Sequence, residues 1–371
     1  MNSQDPVGDF LKELRYEQTI KSYGATLETF ILMVYNTHDR GQFTRYLQEV
    51  KAGDRNIEDD ISNFFILNQD KAPKTLAYRL SVIRSFFDFN GVVIPGSLWK
   101  RLRNRRRGTR SLTIDQPPTQ KELRAMIQYL PILTKSAVLV LASSGMRLGE
   151  IIKIKFNDIF LDNDPPLIKI RGEYTKTGNS RVTFITQEAK ESLNAWLKVR
   201  DQYLKVSIAR SWKYGKKAQD DRVYPFTVSP FYESYWLALE KAGLNDRDPS
   251  TKYRVRHIHT LRKFFRTRLG AVIPPDVVEA LMGHEAGIEA VYKRYSMQDL
   301  GEFYKKGEPA LTVFTNQAEV MKLQSEVTEG RKMTVALLGE QRDRIKALEE
   351  KAAEVDDLRR VLQDLAKRLP V

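Results

Sequence analysis

The sequence predicts a mainly α-helical protein: an N-terminal helical domain, a mostly helical second domain with a small antiparallel β-sheet, and a helical C-terminal tail. Three observations carry this. Apolar residues recur at helical spacing along most of the chain, and the period falls to two only between Ile151 and Thr186. A run of seven basic residues without an acid, Lys100 to Arg110, separates two helical stretches. The 371 residues also exceed the ~250 to 300 that one core organises, so more than one domain is expected.

Taken in order, residues 1–98 read as the first domain. Tyr23, Leu27, Phe30, Ile31 and Val34, then Leu76, Leu80, Ile83, Phe86 and Phe87, keep helical spacing, and Gly53, Pro73 and Gly91 divide Gln18–Asn90 into roughly four helices. Residues 99–118 read as a basic linker, with Lys100, Arg101, Arg103, Arg105, Arg106, Arg107 and Arg110 placed to lie against phosphates. Residues 119–312 form the second domain. Thr119 and Glu122 have the spacing of a capping box, a helix runs from about Ser136 to Ser143–Gly145, and another starts near Met146. A strand over Ile151–Leu161 leads to a hairpin, Leu167–Gly172 and Arg181–Thr186, turning at Gly178 and Asn179. Helices follow at Gln187–Tyr203, Ser229–Ala242, Ile258–Leu269 and from Asp276. In the tail, residues 313–371, the stripe Ile345, Leu348, Ala352, Val355, Leu358, Leu362, Leu365 and Leu369 predicts a helix that needs a partner, either its own chain or a second copy.

Composition narrows the function. Sixty-one Lys and Arg against 47 Asp and Glu leave a net charge of +14, which points to a polyanionic partner. The absence of cysteine excludes disulfides, thiolate metal sites and cysteine nucleophiles. The N-terminus lacks a basic and then apolar leader, and the longest apolar run, Ala137–Ala142, is far too short to span a membrane, so a soluble cytoplasmic chain is expected, associated with the nucleoid in a prokaryote.

Three of the four histidines, His257, His259 and His284, fall within one short window. On a helix His259 and Arg262 share a face, and an imidazole beside a guanidinium suits a phosphate. A solvated basic face is the plainer reading of the same spacing. Arg147 and Glu150 repeat the three-residue step, which by itself suggests a weak surface ion pair. Lys176 reads as an exposed turn lysine, His284 as a helix-end histidine, and Tyr292 with Tyr295 as a core-packing pair.

Their order changes that assessment. ASSGMRLGEI (Ala142–Ile151), YTKTGNSRV (Tyr174–Val182), HTLRKFF (His259–Phe265), LMGHE (Leu281–Glu285) and VYKRY (Val291–Tyr295) together resemble the motifs of the tyrosine recombinases, the site-specific DNA integrases and resolvases. The resemblance covers residues 119–310 with motifs and residues 18–95 more loosely, as a core-binding domain. Met297–Val313 is similar to integrases of archaeal viruses and plasmids.

The resemblance implies that Arg147 and Arg262 clamp the scissile phosphate, Lys176 protonates the leaving 5′-oxygen, His259 takes the tyrosine proton and His284 hydrogen-bonds the phosphate. Glu150 would orient the arginine and histidine shell. The nucleophile would be Tyr292, eight residues after His284, with Tyr295 as the alternative and Tyr304 a distant third; the family spacing is about nine. It further implies double-stranded DNA with a specific site as partner, a clamp around the duplex, a homotetramer acting through a Holliday junction, and no cofactor. A non-enzymatic DNA-binding derivative of the same scaffold and a type IB topoisomerase are the alternatives.

Overall fold

The computed structural model describes residues 5–106, 108, 114–210, 219–249, 251–284 and 294–314, with the side chain of residue 210 excepted. The chain divides into two compact units, residues 1–114 with 248–253, and residues 115–247 with 254–371.

The first unit contains α1 (Pro6–Lys12), α2 (Glu17–Tyr35), α3 (Gln42–Ala52), α4 (Ile57–Leu67), α5 (Pro73–Phe89) and α6 (Gly96–Arg105). Proline at the first position starts α5, and the Asn56 side chain accepts the backbone N–H groups of Glu58 and Asp59 to start α4. Phe30 lies at the centre, with the rings of Phe43, Tyr46, Phe64 and Phe87 within 5.4–6.1 Å of its own. Two features differ from expectation. Helix α1 precedes the stretch expected to be helical, with Val7 and Phe10 in the core. Trp99–Arg105, read as the start of a linker, belongs to α6: Leu98 and Leu102, four apart, bury one face, and this apolar pair outweighs the charge run.

The second unit contains α7 (Gln120–Ile127), α8 (Ile132–Ser144), α9 (Leu148–Ile151), strands β1 (Ile159–Phe160), β2 (Leu167–Ile170) and β3 (Arg181–Phe184), then α10 (Gln187–Arg210), α11 (Val228–Lys241), α12 (His259–Leu269), α13 (Pro275–Met282) and α14 (Met297–Leu311). The Thr119–Glu122 capping box is present at α7. Helix α8 is apolar on nearly every side, and every residue from Leu133 to Ser144 is buried, as a central helix requires. Helices α10, α12 and α14 pack around it.

The sheet is antiparallel in the order β1-β2-β3, with Ile159 opposite Ile168 and Ile170 opposite Arg181. The strand expected over Ile151–Leu161 shrinks to two residues. Ile151 ends α9, and a 3-10 turn, Phe156–Asp158, intervenes, with the Asp158 carboxylate accepting the Lys155 N–H at 2.9 Å. Ile154 is buried there, whereas Phe156 and Phe160 are exposed.

Residues 310–314 are fastened to α7 and α10. The Gln120 side chain donates to the carbonyls of Ala310 and Thr312, and Arg124 donates to that of Val313. Glu188, buried, accepts the N–H groups of Val313 at 2.6 Å and Phe314 at 2.9 Å. Burial pushes its carboxyl up to about 7, against these two donors. A raised carboxyl stabilises the fold below its unfolded value of 4.5, and that stability is lost as pH rises through about 7. At about 1.4 kcal/mol per pH unit, the contribution is about 3 kcal/mol. Glu188→Gln is expected to flatten the pH dependence of urea stability between pH 4.5 and 7. A variant with the wild-type slope would assign that titration elsewhere.

Candidate active site

A buried helix end must find donors for its last carbonyls. At the end of α8 they come from separate elements: Thr183 of β3 donates to Ser144 O at 2.8 Å, Tyr304 of α14 to Ser143 O at 2.8 Å, and Arg262 of α12 to Gly145 O. Gly145 closes the helix with φ of +65°, and a Cβ there would stand 2.5 Å from the Phe265 ring of α12. Only glycine meets both conditions.

Arg262 is 3% exposed, so the solvated-face reading of α12 does not hold for it. Its guanidinium also donates to Met282 O at 2.7 Å and meets His284 Nε2 at 3.0 Å. Burial, then the Arg147 and Arg181 guanidinium groups, lower its pKa, although an arginine keeps its proton at neutral pH.

Arg147 opens α9 immediately beyond Gly145. Its backbone N–H and Nη1 donate to Glu150 at 2.8 and 3.0 Å, and its side chain remains 36% exposed. Glu150 is 2% exposed, so this pair is no weak surface bridge. Its second partner is Arg181 of β3, also 2% exposed in its side chain, which offers Nη1 at 3.1 Å and Nη2 at 2.7 Å in a bidentate fork and donates Nε to Leu281 O. Burial opposes the Glu150 charge, but Arg181, and then Arg147, hold its carboxyl below the usual value. Glu150 thus hydrogen-bonds two arginines, Arg147 and Arg181, and no histidine hydrogen-bonds it among the described residues. Arg181 was missed because, in the sequence, it is one more cation at a strand start.

His259 begins α12 on the exposed side, its ring stacked 6.3 Å from that of His257. Partial desolvation, then the Arg262 charge, push it below the usual imidazole value. Asp115 accepts from Lys263 at 2.6 Å and pairs with His257 at 3.2 Å. Beyond α13, Gly283 at φ +80° lets the chain turn over the Arg181 side chain, and His284 follows. Its Nε2 faces an Arg262 N–H and its Nδ1 faces the Glu279 carboxylate, a pattern that places the imidazole proton on Nδ1. Glu279 in turn accepts from Arg266 at 2.5 Å. Glu279 is a further residue that sequence reasoning missed; its position five before His284, across a helix end, gives no periodic signal.

Arg147, Glu150, Arg262 and His284 are therefore joined around one helix end, directly or through Gly145. Lys176 is exposed on the loop between β2 and β3. Tyr295 is half-buried, its ring 5.2 Å from that of Phe303 with the Arg294 guanidinium above it. Tyr304 is fully buried, and burial raises its hydroxyl well above the usual value. Tyr292, Arg107, Arg110 and the expected tail helix lie outside the described residues. Lys100, Arg101, Arg103 and Arg105 line the exposed side of α6, and Arg106 caps it. Among the described residues, no group of three or more His, Asp or Glu could hold a metal ion, and no helix is long and apolar enough to cross a membrane.

Residues 118–300 match the phage integrase family. The chain is similar to tyrosine recombinase XerA of Saccharolobus solfataricus, 24% identical over 292 residues that cover 78% of this chain and 86% of that protein. It is also similar to tyrosine recombinase XerC of Psychromonas ingrahamii, 25% identical over 249 residues, 64% of this chain and 75% of the relative. Among solved structures, XerH site-specific recombinase bound to difH substrate aligns with a TM-score of 0.44 and 13% identity, covering 82% of this chain and 93% of that one.

The buried Glu150–Arg181 pair makes a clear energetic prediction. Arg181→Met should lower stability by about 3 to 5 kcal/mol in urea titrations, because it strips a buried carboxylate of its bidentate partner. Arg181→Lys should restore less than half, lacking the planar fork. A loss under about 1 kcal/mol for Arg181→Met would mean that Arg147 alone satisfies Glu150.

Proposed function

Because the chain belongs to the tyrosine recombinases, the phage integrase family, we propose that it is a site-specific DNA recombinase. It cleaves duplex DNA through a 3′-phosphotyrosine intermediate and rejoins the strand to a new partner, in integration or excision of a mobile element. The observation that carries this reading is the convergence of Arg147 and Arg262, from distant segments, at the end of α8.

In this reading the two guanidinium groups take the non-bridging oxygens of the scissile phosphate and stabilise the charge of the pentavalent transition state. Arg147, the more exposed, provides the docking edge, while buried Arg262 is held in plane by Gly145 O, Met282 O and His284. His259, neutral at pH 7 through desolvation and its cationic neighbours, accepts the proton of the attacking tyrosine. His284 acts on the phosphate by way of Arg262, and direct donation from its Nε2 requires a proton there. Lys176 protonates the leaving 5′-oxygen. The phosphotyrosine conserves the energy of the phosphodiester, so religation needs no nucleotide.

Tyr292 is the proposed nucleophile. The packing of Tyr295 against Phe303, and the burial of Tyr304 with its hydroxyl on Ser143 O, favour structural roles for those two tyrosines. The basic residues Lys100, Arg101, Arg103, Arg105, Arg106, Arg107 and Arg110 are proposed to contact DNA phosphates. The proposed organisation is a DNA-binding domain, residues 1–98, a catalytic domain, residues 119–312, and a tail, residues 313–371, through which four copies associate on two duplexes.

Nicked suicide duplexes carrying a bound site test the chemistry. Wild type should give covalent adducts on a denaturing gel, Tyr292→Phe should give none, and Tyr295→Phe should retain them. Adducts that persist in Tyr292→Phe and vanish in Tyr295→Phe would reassign the nucleophile, and a wild type that binds its site without forming any adduct would refute recombinase activity. Replacing Lys100, Arg103 and Arg105 with Ala should reduce the slope of log K against log salt by roughly 0.9 for each phosphate that is no longer neutralised. An unchanged slope would leave that face of α6 merely solvated.

A further inference from the structure

The geometry points to Asp158 and Tyr174 as positioning residues for Lys176: a buried carboxylate clamp at the base of the β2–β3 loop that holds the proton donor in register with the leaving oxygen. The inference rests on the reading of Lys176 as general acid given above.

Asp158 is fully buried at the end of the 3-10 turn that precedes β1. A buried charge is tolerated only where its lone pairs are occupied, and Asp158 has three donors. One is local, the Lys155 backbone N–H at 2.9 Å. The other two come from the loop: Arg171 Nε at 2.6 Å, from the residue following β2, and the Tyr174 hydroxyl at 2.9 Å. Arg171 and Tyr174 bracket the 3-10 turn Gly172–Tyr174, so one carboxylate fixes both its start and its end. Lys176 follows Tyr174 by two residues. Between them, Thr175 donates to Gly172 O at 3.0 Å and, in a second geometry of the same hydroxyl, to Asn179 O at 3.2 Å, tying the two sides of the loop together. The lysine is exposed, whereas Asp158 and Tyr174 are buried and Arg171 and Thr175 are half-buried. A long flexible side chain on a free loop would reach the leaving oxygen only in a small fraction of its conformations. Fixing the backbone two residues before it raises that fraction, which is the entropic contribution of a positioned catalytic group.

In the cleavage step the tyrosine oxygen bonds to phosphorus while the bond from phosphorus to the 5′-oxygen breaks, and that oxygen leaves as a hydroxyl with a proton from Lys176 Nζ. With sulfur in place of the 5′-bridging oxygen, the leaving group departs as a stable thiolate and needs no proton. A defect confined to proton donation is therefore erased by sulfur, whereas a defect in folding, binding or nucleophilic attack is not.

The test is single-turnover cleavage of suicide duplexes with 5′-bridging oxygen or sulfur, by the full chain bearing Lys176→Ala, Asp158→Asn or Tyr174→Phe, at saturating protein. Tyr174→Phe removes one hydroxyl from a buried ring and preserves its packing, so it carries the test should Asp158→Asn fold poorly. Lys176→Ala should be slowed roughly 100-fold or more on oxygen and recover on sulfur. Tyr174→Phe should be slowed about tenfold on oxygen with binding unchanged, and recover to within about twofold on sulfur. Equal slowing on both substrates, or no slowing on oxygen, would overturn the clamp while leaving a rescued Lys176→Ala, and the general-acid reading, intact. If sulfur fails to rescue Lys176→Ala, the general-acid reading itself falls and the clamp with it.

Discussion

The arrangement around the candidate site depends on the end of α8 being buried. A helix ending at the surface leaves its final carbonyls to water, but α8 is enclosed to its last residue, and its carbonyls recruit donors from β3, α12 and α14. One of those donors is Arg262. The same hydrogen bond that completes the helix therefore fixes a guanidinium beside Arg147, which starts the next helix two residues beyond Gly145. Core packing and site geometry share these bonds, so neither can be altered alone.

The second constraint is electrostatic. Glu150 is the one carboxylate that hydrogen-bonds Arg147 or Arg181 among the described residues, while Arg262 is held by carbonyls and an imidazole. Positive charge is left over in a poorly solvated place, which is why burial and neighbouring guanidinium groups weaken the hold of Arg262 on its proton. In the proposed reaction an incoming phosphodiester would supply the missing negative charge, and a pentavalent phosphorane would supply more of it. Arginines already desolvated and aligned gain most from the species with the greatest charge, which is the basis of transition-state selectivity.

The fold class was legible from periodicity, and most helix starts from caps and prolines: Thr119, Pro73 and the helix at Gln187 lie where the pattern places them. The strand over Ile151–Leu161 was misread because alternation of Ile, Lys and Phe reads as a strand even where the chain turns, with Ile154 buried and Phe156 exposed. Trp99–Arg105 was misread because seven basic residues obscure the two leucines that bury α6. Motif order singled out Arg147, Glu150, Arg262 and His284, which the structure brings together at one helix end. Arg181 and Asp158 escaped notice because their side-chain partners lie 13 to 31 positions away, and Glu279 because its partner His284 lies five residues on across a helix end, so none leaves a periodic spacing to detect.

The fastening of residues 310–314 has a mechanical consequence. Gln120, Arg124 and Glu188 grip the backbone directly beyond α14, so tension applied through the later residues passes into α7 and α10 before it can reach Tyr304 and the end of α8. The grip works as a strain relief on a cable.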